Sequence, residues 1–263
     1  MRLHFYKYHG AGNDFVLFDA RKNDINLSVE QITKLCDRHF GVGADGVILL
    51  KKTPMADFEM AFYNPDGTSG MMCGNGGRCI TMFARHIGVS NNSVFSFLAS
   101  DGMHFARVVD EKTVALKMTN TDKLEIMEDG IWIDTGTSHF VTFVKDLSKA
   151  DVVAKGRKLR YEARFEKHNG TNVDFVAISK TNDISVRTYE RGVEDETLAC
   201  GTGIVASALV YSIKKKLKDG KHSINVNTLH DNLTVEFEKN GNSFSSIMLI
   251  GSAVKVFEGD IVL

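Results

Sequence analysis

Two cysteines occupy the same local pattern, in which a glycine-rich turn leads into an apolar helix. Cys73 is followed by Gly-Asn-Gly and Cys200 by Gly-Thr-Gly, and a tyrosine precedes each of them, Tyr63 by 10 residues and Tyr189 by 11. A thiol at the start of a helix faces backbone N–H groups that have no partner inside the helix, and the positive end of the helix dipole. Because both features favour the thiolate over the thiol, the pattern predicts two reactive cysteines.

Two such thiols could invert a carbon centre. Inversion needs a base on one face of the carbon and an acid on the other, and one deprotonated and one protonated thiol meet that need. The helix starts could bind the carboxylate of an amino acid, because the glycines remove side chains that would keep a ligand away from the N–H groups. Such donors also stabilise the charge that develops when the α-proton leaves. We therefore predict a cofactor-free epimerase or racemase of amino acids.

The other two cysteines fit a packing role. Cys36 falls on the apolar face of a predicted helix, and Cys79 falls inside the helix that follows Cys73. Buried thiols of this kind usually behave as small apolar residues. The spacing of Cys73 and Cys79 does not match the usual zinc pairs. The string Gly201-x-Gly203-x-x-Ala206 matches a dinucleotide fingerprint, but it lacks the strand directly before it and the acidic residue about 20 residues after it.

Composition narrows the class of protein. The chain has 263 residues, 43% of them hydrophobic and 25% charged, and a formal net charge of −1. This charge gives no reason to expect a nucleic acid or an anionic membrane as partner. The sequence shows no export signal and no long apolar span, and four cysteines in a chain of this length are not a disulfide framework. We expect reduced thiols, a cytoplasmic protein and a small-molecule substrate, with the oligomeric state open and a homodimer among the options.

Short runs of β-type residues dominate the chain, with few helices between them. Ser28 and Gln31 form a capping box that opens a helix with Ile32, Leu35, Cys36 and His39 at helical spacing. Two more helices are expected over 75–87, stopped by Gly88, and over 202–216. Strands are predicted at about 3–8, 15–18, 46–51, 57–63, 94–98, 103–109, 113–119, 131–133, 139–144, 173–179 and 184–190, with four more after the third helix. The stretch 146–168 is polar and weakly patterned. Many short strands with few long helices indicate the α+β class rather than a regular βαβ repeat.

The two halves of the chain resemble each other, which predicts two related domains that each present one thiol. Besides the two cysteine motifs, Asn13-Asp14-Phe15-Val16 is echoed by Asn172-Val173-Asp174-Phe175-Val176. The patterning weakens near Thr119–Lys123, so we place the boundary there. The first domain is then residues 1–118 and the second begins at residue 119.

Several motifs together resemble the diaminopimelate epimerase family, over about residues 4 to 210. The motifs are Gly10-Ala11-Gly12-Asn13-Asp14-Phe15, Asn64-Pro65-Asp66-Gly67, Met72-Cys73-Gly74-Asn75-Gly76-Gly77-Arg78-Cys79, Glu190-Arg191-Gly192 and Ala199-Cys200-Gly201-Thr202-Gly203. The resemblance implies interconversion of LL- and meso-2,6-diaminopimelate without pyridoxal phosphate or metal, in the synthesis of lysine and cell-wall precursors. It also implies two similar domains, each a β-barrel-like sheet around a central helix. The last strand, about 252–263, should return to the first domain, which leaves 119–251 as the second.

The same resemblance implies a role for each site residue. Cys73 and Cys200 would be the acid/base pair, and Glu190 would accept from the reacting amino group and, with His139, poise the thiols. The donors to the reacting carboxylate would be Gly74, Asn75, Gly201 and Thr202. The distal end of the substrate would be bound by Asn13, Asn64, Asn172 and Arg191.

Two positions depart from the family pattern. The family commonly has glutamine where Gly46 stands, and Gly-Asn-Pro-His where this chain has Gly136-Thr137-Ser138-His139. The Thr137 hydroxyl could replace part of the hydrogen bonding of an asparagine, but not both its donor and its acceptor. Both departures concern substrate selection, so a racemase of another amino acid remains an alternative. A non-enzymatic binding protein on the same fold is a further alternative, although binding alone would not need two thiols.

Overall fold

The computed structural model describes residues 2–23, 25–70, 72–180 and 182–263. The chain forms two compact units, one of residues 1–116 with 251–263 and one of residues 117–250. No helix among the described residues is long and apolar enough to cross a membrane.

The strands account for most of the regular structure. In chain order they are β1 (Arg2–Gly10), β2 (Asn13–Asp19), β3 (Val47–Lys51), β4 (Phe58–Tyr63), β5 (Val94–Ala99), β6 (Gly102–Val108), β7 (Thr113–Lys117), β8 (Leu124–Ile126), β9 (Ile131–Asp134), β10 (Ser138–Phe143), β11 (Asn172–Lys180), β12 (Asp183–Glu190), β13 (Asp195–Thr197), β14 (Gly220–Asn227), β15 (Asn232–Asn240), β16 (Ser243–Ser252) and β17 (Val254–Val262). The α-helices are α1 (Val29–Cys36), α2 (Gly74–His86), α3 (Val152–Arg160) and α4 (Gly201–Lys214). Short 3-10 helices cover Leu147–Lys149 and Ala163–His168.

Strand order is the same in the two units. In the first unit the order is β17, β1, β2, β3, β4, β5, β6, β7, and neighbours are antiparallel except for the parallel pairs β2–β3 and β4–β5. In the second unit the order is β8, β9, β10, β11, β12, β14, β15, β16, with β10–β11 and β12–β14 as the parallel pairs. The parallel pairs fall at the same two places in both orders. The prediction of an α+β fold built from two similar halves is therefore confirmed.

One helix lies at the centre of each unit. In the first, α2 contacts β17 at one end of the order and β6, the strand next to the other end, as well as β1, β2 and β3. In the second, α4 contacts β9 through β12, β14 and β15. A sheet whose distant strands touch the same helix must curl around it. Residues 75–84 of α2 and 203–212 of α4 are accordingly buried on all sides, whereas a helix on the outside of a sheet buries only one stripe.

Strand order also corrects one part of the predicted repeat. The match of Asn13–Val16 with Asn172–Val176 is wrong, because β2 and β11 occupy different places in the two orders. The counterpart of β11 is β3, and the counterpart of β2 is β10. The two cysteine motifs do correspond, since each follows the fifth strand of its unit and opens the central helix.

Two local predictions also differ from the structure. Helix α3 lies inside the stretch 146–168, with Asp151 accepting from the backbone N–H of Ala154 at its start. Its packing surface centres on Gly156, where an added Cβ would lie 2.4 Å from Tyr189 Cβ, so no apolar stripe marks it in the sequence. His39 is exposed beyond the end of α1 rather than on its apolar face.

Candidate functional site

Cys73 lies at the start of the central helix of the first unit. Its backbone is extended, and the helix ladder begins when Gly77 N–H donates to the Cys73 carbonyl at 2.7 Å. The Cys73 Sγ contacts Asn13 Oδ1 at 3.6 Å, and Asn75 Nδ2 donates to the same oxygen at 3.2 Å. The structure thus brings three predicted site residues together, Cys73, Asn75 and Asn13.

The orientation of the Asn13 amide follows from its other partner. Asn13 Nδ2 donates to Asp45 Oδ2 at 2.7 Å. Because a carboxylate only accepts, the amide nitrogen must face Asp45 and the oxygen must face Cys73. Asp45 was not among the residues predicted from the sequence. It is held in turn by Arg38, whose Nη2 lies 2.8 Å from Asp45 Oδ1.

Asp14 anchors the same charge cluster. Its carboxylate accepts from Arg38 and lies 2.7 Å from Lys7 Nζ, although Lys7 is buried. Burial alone would raise the pKa of Asp14, but the hydrogen bonds from Arg38 and Lys7 outweigh it and lower the pKa to about 2. Asp14 is therefore ionised at neutral pH, and its hydrogen bonds fix the loop that carries Asp45.

Asn64 lies in the predicted turn, where Gly67 N–H donates to the Asn64 carbonyl at 2.9 Å and Gly67 has a φ of +82°. Its side-chain Nδ2 donates to Thr68 Oγ1 at 3.0 Å. Nearby, the ring of Phe62 fills the space beside Gly46, since a Cβ added there would lie 2.5 Å from Phe62 Cε2. A longer residue at position 46 could not enter without displacing that ring.

Cys200 lies at the start of the central helix of the second unit. Its backbone is extended, and Ile204 N–H donates to the Cys200 carbonyl at 2.9 Å to begin the ladder. The thiol is buried, and its Sγ lies 3.5 Å from Thr202 Oγ1. Thr202 is in turn 2.9 Å from His139 Nε2. The unit therefore groups Cys200, Thr202 and His139, all of them predicted site residues.

His139 is fully buried and paired with a carboxylate. Its Nδ1 lies 2.7 Å from Asp174 Oδ2, and Asp174 is equally buried. Burial alone would lower the pKa of His139, but the charges of Asp174 and Cys200 and hydrogen bonding to them outweigh it and raise the pKa to about 10. The imidazole is therefore cationic at neutral pH. Thr137 Oγ1 also lies 2.9 Å from His139 Nε2.

Glu190, at the end of β12, is partly buried. Burial raises its pKa, against the hydrogen bond from Thr197 Oγ1 at 2.8 Å, which lowers it. His139 and Asp174 are close enough to influence this pKa, in opposite directions. The second unit thus gathers a thiol, an imidazole and two carboxylates.

Asn172 and Arg191 make their main contacts within the second unit. Asn172 Nδ2 donates to the Ser138 carbonyl and its Oδ1 accepts from Arg191 N–H, both at 2.8 Å. Arg191 Nη1 lies within 3.2 to 3.4 Å of the carbonyls of His168, Asn169 and Gly170. Both side chains therefore brace the loop after β12.

The second glycine of each cysteine motif has a different role from the one predicted. Gly76 and Gly203 are buried and face the unit interior rather than a ligand. A Cβ at Gly203 would lie 2.4 Å from Asp174 Oδ1 and 3.1 Å from His139 Cε1. A Cβ at Gly76 would meet only the ends of apolar side chains, 3.1 Å from Met60 Cε. The repeated glycine thus admits an ionic pair in one unit and apolar packing in the other.

Cys36 and Cys79 behave as packing residues. Cys36 belongs to the apolar cluster between α1 and the first sheet, and Cys79 is completely buried in α2. Burial raises the pKa of Cys36 to about 11 and that of Cys79 to about 12, so both stay protonated at neutral pH. Among the described residues, no group of three or more His, Cys, Asp or Glu side chains is arranged to hold a metal ion.

Comparisons with a family model and with individual relatives identify the same family. The diaminopimelate epimerase family model matches residues 5–124 and 131–256. A diaminopimelate epimerase of Flavobacterium psychrophilum is 40% identical over 257 residues, covering 97% of this chain and 99% of the relative. A diaminopimelate epimerase of Aquifex aeolicus is also 40% identical, over 278 residues that cover 98% of this chain and 97% of the relative.

Solved structures that resemble the chain share its fold at low identity. A phenazine biosynthesis protein of the PhzF family from Bacillus anthracis superimposes with a TM-score of 0.74 and 16% identity, covering 100% of both chains. A hydroxyproline epimerase from Agrobacterium vitis gives a TM-score of 0.64 and 15% identity, covering 99% of this chain and 91% of that one. At these identities the likeness extends to the fold alone.

Proposed function

The chain belongs to the diaminopimelate epimerase family, and on that premise we propose that it interconverts LL- and meso-2,6-diaminopimelate. The observation that carries the proposal is the pair of thiols, Cys73 and Cys200, each at the first turn of the central helix of its unit. A protein that only bound an amino acid would not need a proton acceptor and a proton donor. Two relatives named diaminopimelate epimerase are 40% identical to the chain over nearly their whole length, and this supports diaminopimelate as the substrate.

The proposed chemistry uses two bases. One thiolate removes the α-proton from one face of the reacting carbon, and the other thiol delivers its proton to the opposite face. In the reverse direction Cys73 and Cys200 exchange roles. Each turnover leaves the two sulfurs with exchanged protonation states, so the new thiol releases a proton to solvent and the new thiolate takes one up before the next turnover in the same direction. The cationic His139 favours negative charge in the second unit, and in this proposal His139 and Glu190 together poise the thiols.

The reacting carboxylate is held, in this proposal, by backbone donors at the two helix starts, Gly74 and Asn75 in one unit and Gly201 and Thr202 in the other. These N–H groups precede the first hydrogen bond of each helix ladder. They lie where the helix dipole favours an anion, and they stabilise the charge that forms when the α-proton leaves. Because the Thr202 hydroxyl is hydrogen-bonded to His139, Thr202 donates to the carboxylate through its backbone N–H.

The remaining predicted residues are assigned to the two ends of the substrate. Glu190 accepts from the reacting amino group. Asn13, Asn64 and Arg191 bind the distal amino-acid end, and Asn172 supports Arg191 by fixing its backbone. We assign the two catalytic domains to residues 1–118 with 252–263 and to residues 119–251.

A racemase of another amino acid is the second candidate, and one observation favours it. Where the family commonly has glutamine, this chain has Gly46, and Phe62 occupies the adjoining space. The surface around Asn64 therefore differs from the family pattern on the side assigned to the distal end of the substrate. A change there would alter which amino acid is accepted without altering the thiol chemistry.

The deciding experiment is an epimerisation assay with purified, reduced protein and no added cofactor. The panel contains LL-diaminopimelate, proline, hydroxyproline, glutamate and lysine, followed by chiral chromatography. We expect LL-diaminopimelate to be converted with the highest kcat/KM. Efficient inversion of another amino acid with diaminopimelate untouched would transfer the assignment to the second candidate. Inertness towards the whole panel would refute both.

We also propose a cytoplasmic location and a homodimer. The two-thiol chemistry supports the location, because a reducing compartment keeps both cysteines from oxidation. Fractionation of the source cells tests it, and recovery of the protein outside the cytoplasmic fraction would refute it. Light scattering at micromolar concentration tests the homodimer, and a monomer mass would refute it.

A further inference from the structure

Three polar atoms in the second unit form a closed triangle. His139 Nε2 lies 2.9 Å from Thr137 Oγ1 and 2.9 Å from Thr202 Oγ1, and the two hydroxyl oxygens are 3.0 Å apart. Thr202 Oγ1 also lies 3.5 Å from Cys200 Sγ. A hydroxyl group can donate and accept at once, so Thr202 can connect the imidazole to the thiol.

The other side of the imidazole is fixed by Asp174. His139 Nδ1 is 2.7 Å from Asp174 Oδ2, and the second carboxylate oxygen accepts from Thr188 Oγ1 at 2.7 Å. Because the carboxylate only accepts, Nδ1 must carry a proton. The start of α4 packs directly on this pair, and glycine at position 203 is what leaves room for it.

With Nδ1 protonated, the hydrogen bonds beyond Nε2 can run in two directions. If Nε2 carries a proton, it donates to a threonine hydroxyl, and Thr202 donates onward to a Cys200 thiolate. If Nε2 is bare, the thiol of Cys200 donates to Thr202, and Thr202 donates to Nε2. The two states hold the same number of protons, with the mobile proton on His139 in one and on Cys200 in the other.

We propose that Asp174 is a positioning residue for the epimerase reaction, acting through His139 and the Thr202 hydroxyl to keep Cys200 as the thiolate in the resting enzyme. The proposal rests on the proposed function for its catalytic meaning. The charge state of His139 stands on the geometry of the buried pair and agrees with the raised pKa of the imidazole. Thr202 and Thr137 carry the hydrogen bond, and neither changes its own charge.

The charged and titratable groups that face His139 come from three elements. Asp174 is on β11, Glu190 is at the end of β12, and Cys200 precedes α4. Glu190 also favours a cationic imidazole when it is ionised, but burial raises its own pKa and makes it the weaker partner. Only Asp174 contacts the ring nitrogen among the described carboxylates. Asp174 should therefore dominate the charge on His139.

The test measures the resting thiols directly and needs no substrate. Protein is treated with limiting iodoacetamide from pH 5.5 to 9.5, and the rate at Cys200 and Cys73 is followed by peptide mass spectrometry. Iodoacetamide reacts with the thiolate, so the pH of half-maximal rate reports proton loss independently of how accessible each sulfur is. Variants are Asp174→Asn and Thr202→Val, with Asp129→Asn as the control. Asp129 lies in the same unit, but its partner is Arg164 at the surface.

In Asp174→Asn we expect the half-maximal pH at Cys200 to rise by about one unit or more, a tenfold change in thiolate fraction at low pH. Cys73 should keep its profile, and Asp129→Asn should match the wild type at both cysteines. Thr202→Val should give the same rise at Cys200 with the Asp174–His139 pair intact. An unchanged Cys200 profile in a folded Asp174→Asn protein would overturn the proposal. If that variant does not fold, an unchanged profile in Thr202→Val would overturn it.

Kinetics add a second, separable readout. In Asp174→Asn, kcat for LL-diaminopimelate should fall roughly 10- to 100-fold, as for other residues that orient a catalytic group, while KM changes less than twofold. The pH optimum should move upward, which a purely structural defect would not cause. A fall in kcat/KM that comes only from a higher KM, with kcat unchanged, would contradict the positioning role. If the wild type does not act on diaminopimelate, the proposed function fails, while the alkylation profiles still decide the role of Asp174.

Discussion

A single methyl group at Gly203 is expected to damage the second unit, whereas the same change at Gly76 should be tolerated. The two glycines hold equivalent places in the first turn of α4 and α2. At Gly203 the new Cβ would lie 2.4 Å from Asp174 Oδ1, about 1 Å inside ordinary van der Waals contact, and 3.1 Å from His139 Cε1. Both neighbours belong to a buried ionic pair that has no free volume to enter.

The contacts at the two positions set the expected magnitudes. Overpacking of this kind costs about 1–3 kcal/mol, and the better helix propensity of alanine returns at most about 1 kcal/mol. Gly203→Ala should therefore lose about 1–2 kcal/mol of unfolding free energy. At Gly76 the nearest atoms are Met60 Cε at 3.1 Å and Ile48 Cδ1 at 3.2 Å. These side-chain ends need to move only a few tenths of an ångström, so Gly76→Ala should stay within about 0.5 kcal/mol of the wild type.

Urea unfolding, followed by circular dichroism, measures both variants, and the epimerisation assay measures their kcat. Gly203→Ala should unfold at lower urea and lose at least about tenfold in kcat, because the displaced pair no longer orients the Cys200 side of the site. Gly76→Ala should keep most of its activity. Equal stability and equal kcat for the two variants would show that glycine is not needed at position 203 to leave room for the Asp174–His139 pair.

Three further predictions follow from packing and charge. Gly156→Ala should destabilise the protein by about 1–3 kcal/mol in urea, because the added Cβ would lie 2.4 Å from Tyr189 Cβ; wild-type stability would contradict the packing of α3. Asp14→Asn should lower stability fully above about pH 4 and progressively less as the pH falls through 2, since the pKa of Asp14 is lowered from 3.8 to about 2 and its pairing with Lys7 is lost on protonation. A stability gap between Asp14→Asn and wild type that stays the same size from about pH 5 down to about pH 1 would contradict that pairing. Cys79, whose pKa is raised to about 12 by burial, should resist iodoacetamide at pH 8.5 until urea unfolds the protein, and its alkylation in the native state would show that it is not packed as described.

The sequence predicted the regular elements well where periodicity and turn residues agree. The strands before and after each cysteine motif alternate cleanly, and Gly88 ends α2 with a φ of +69°, as a stop signal should. The three-residue strands β8 and β13 are too short to carry a period. The mistaken match of Asn13–Val16 with Asn172–Val176 shows that a short string can repeat by chance where strand order does not.

The residues that the sequence missed act through partners far along the chain. Asp174 reaches His139, 35 residues earlier, because β10 and β11 pair in parallel with His139 opposite Asn172. Asp174, two residues beyond Asn172, then points to the same face of the sheet. Asp45 likewise reaches Asn13 across 32 residues. Composition and local spacing carry no information about such register, so only the folded sheet reveals these pairs.

The position of Phe62 was equally hidden. Its ring is held between Gly46 and Gly70, where an added Cβ would in each case lie 2.5 Å from a ring carbon. The sequence showed that Gly46 departs from the family pattern but not what fills the space. A glycine in a sequence indicates that another group packs closely against the backbone, but it does not identify that group, which can belong to any neighbouring strand.

The two-base mechanism is tested most directly by epimerising LL-diaminopimelate in deuterium oxide and analysing both stereoisomers in the first few per cent of reaction. With two separate thiols as base and acid, meso-diaminopimelate should carry one α-deuterium from its first appearance, while the remaining LL-substrate stays unlabelled. Alanine at either Cys73 or Cys200 should abolish the reaction. Deuterium entering the LL-substrate as fast as the product forms, or turnover that survives either alanine substitution, would contradict the mechanism.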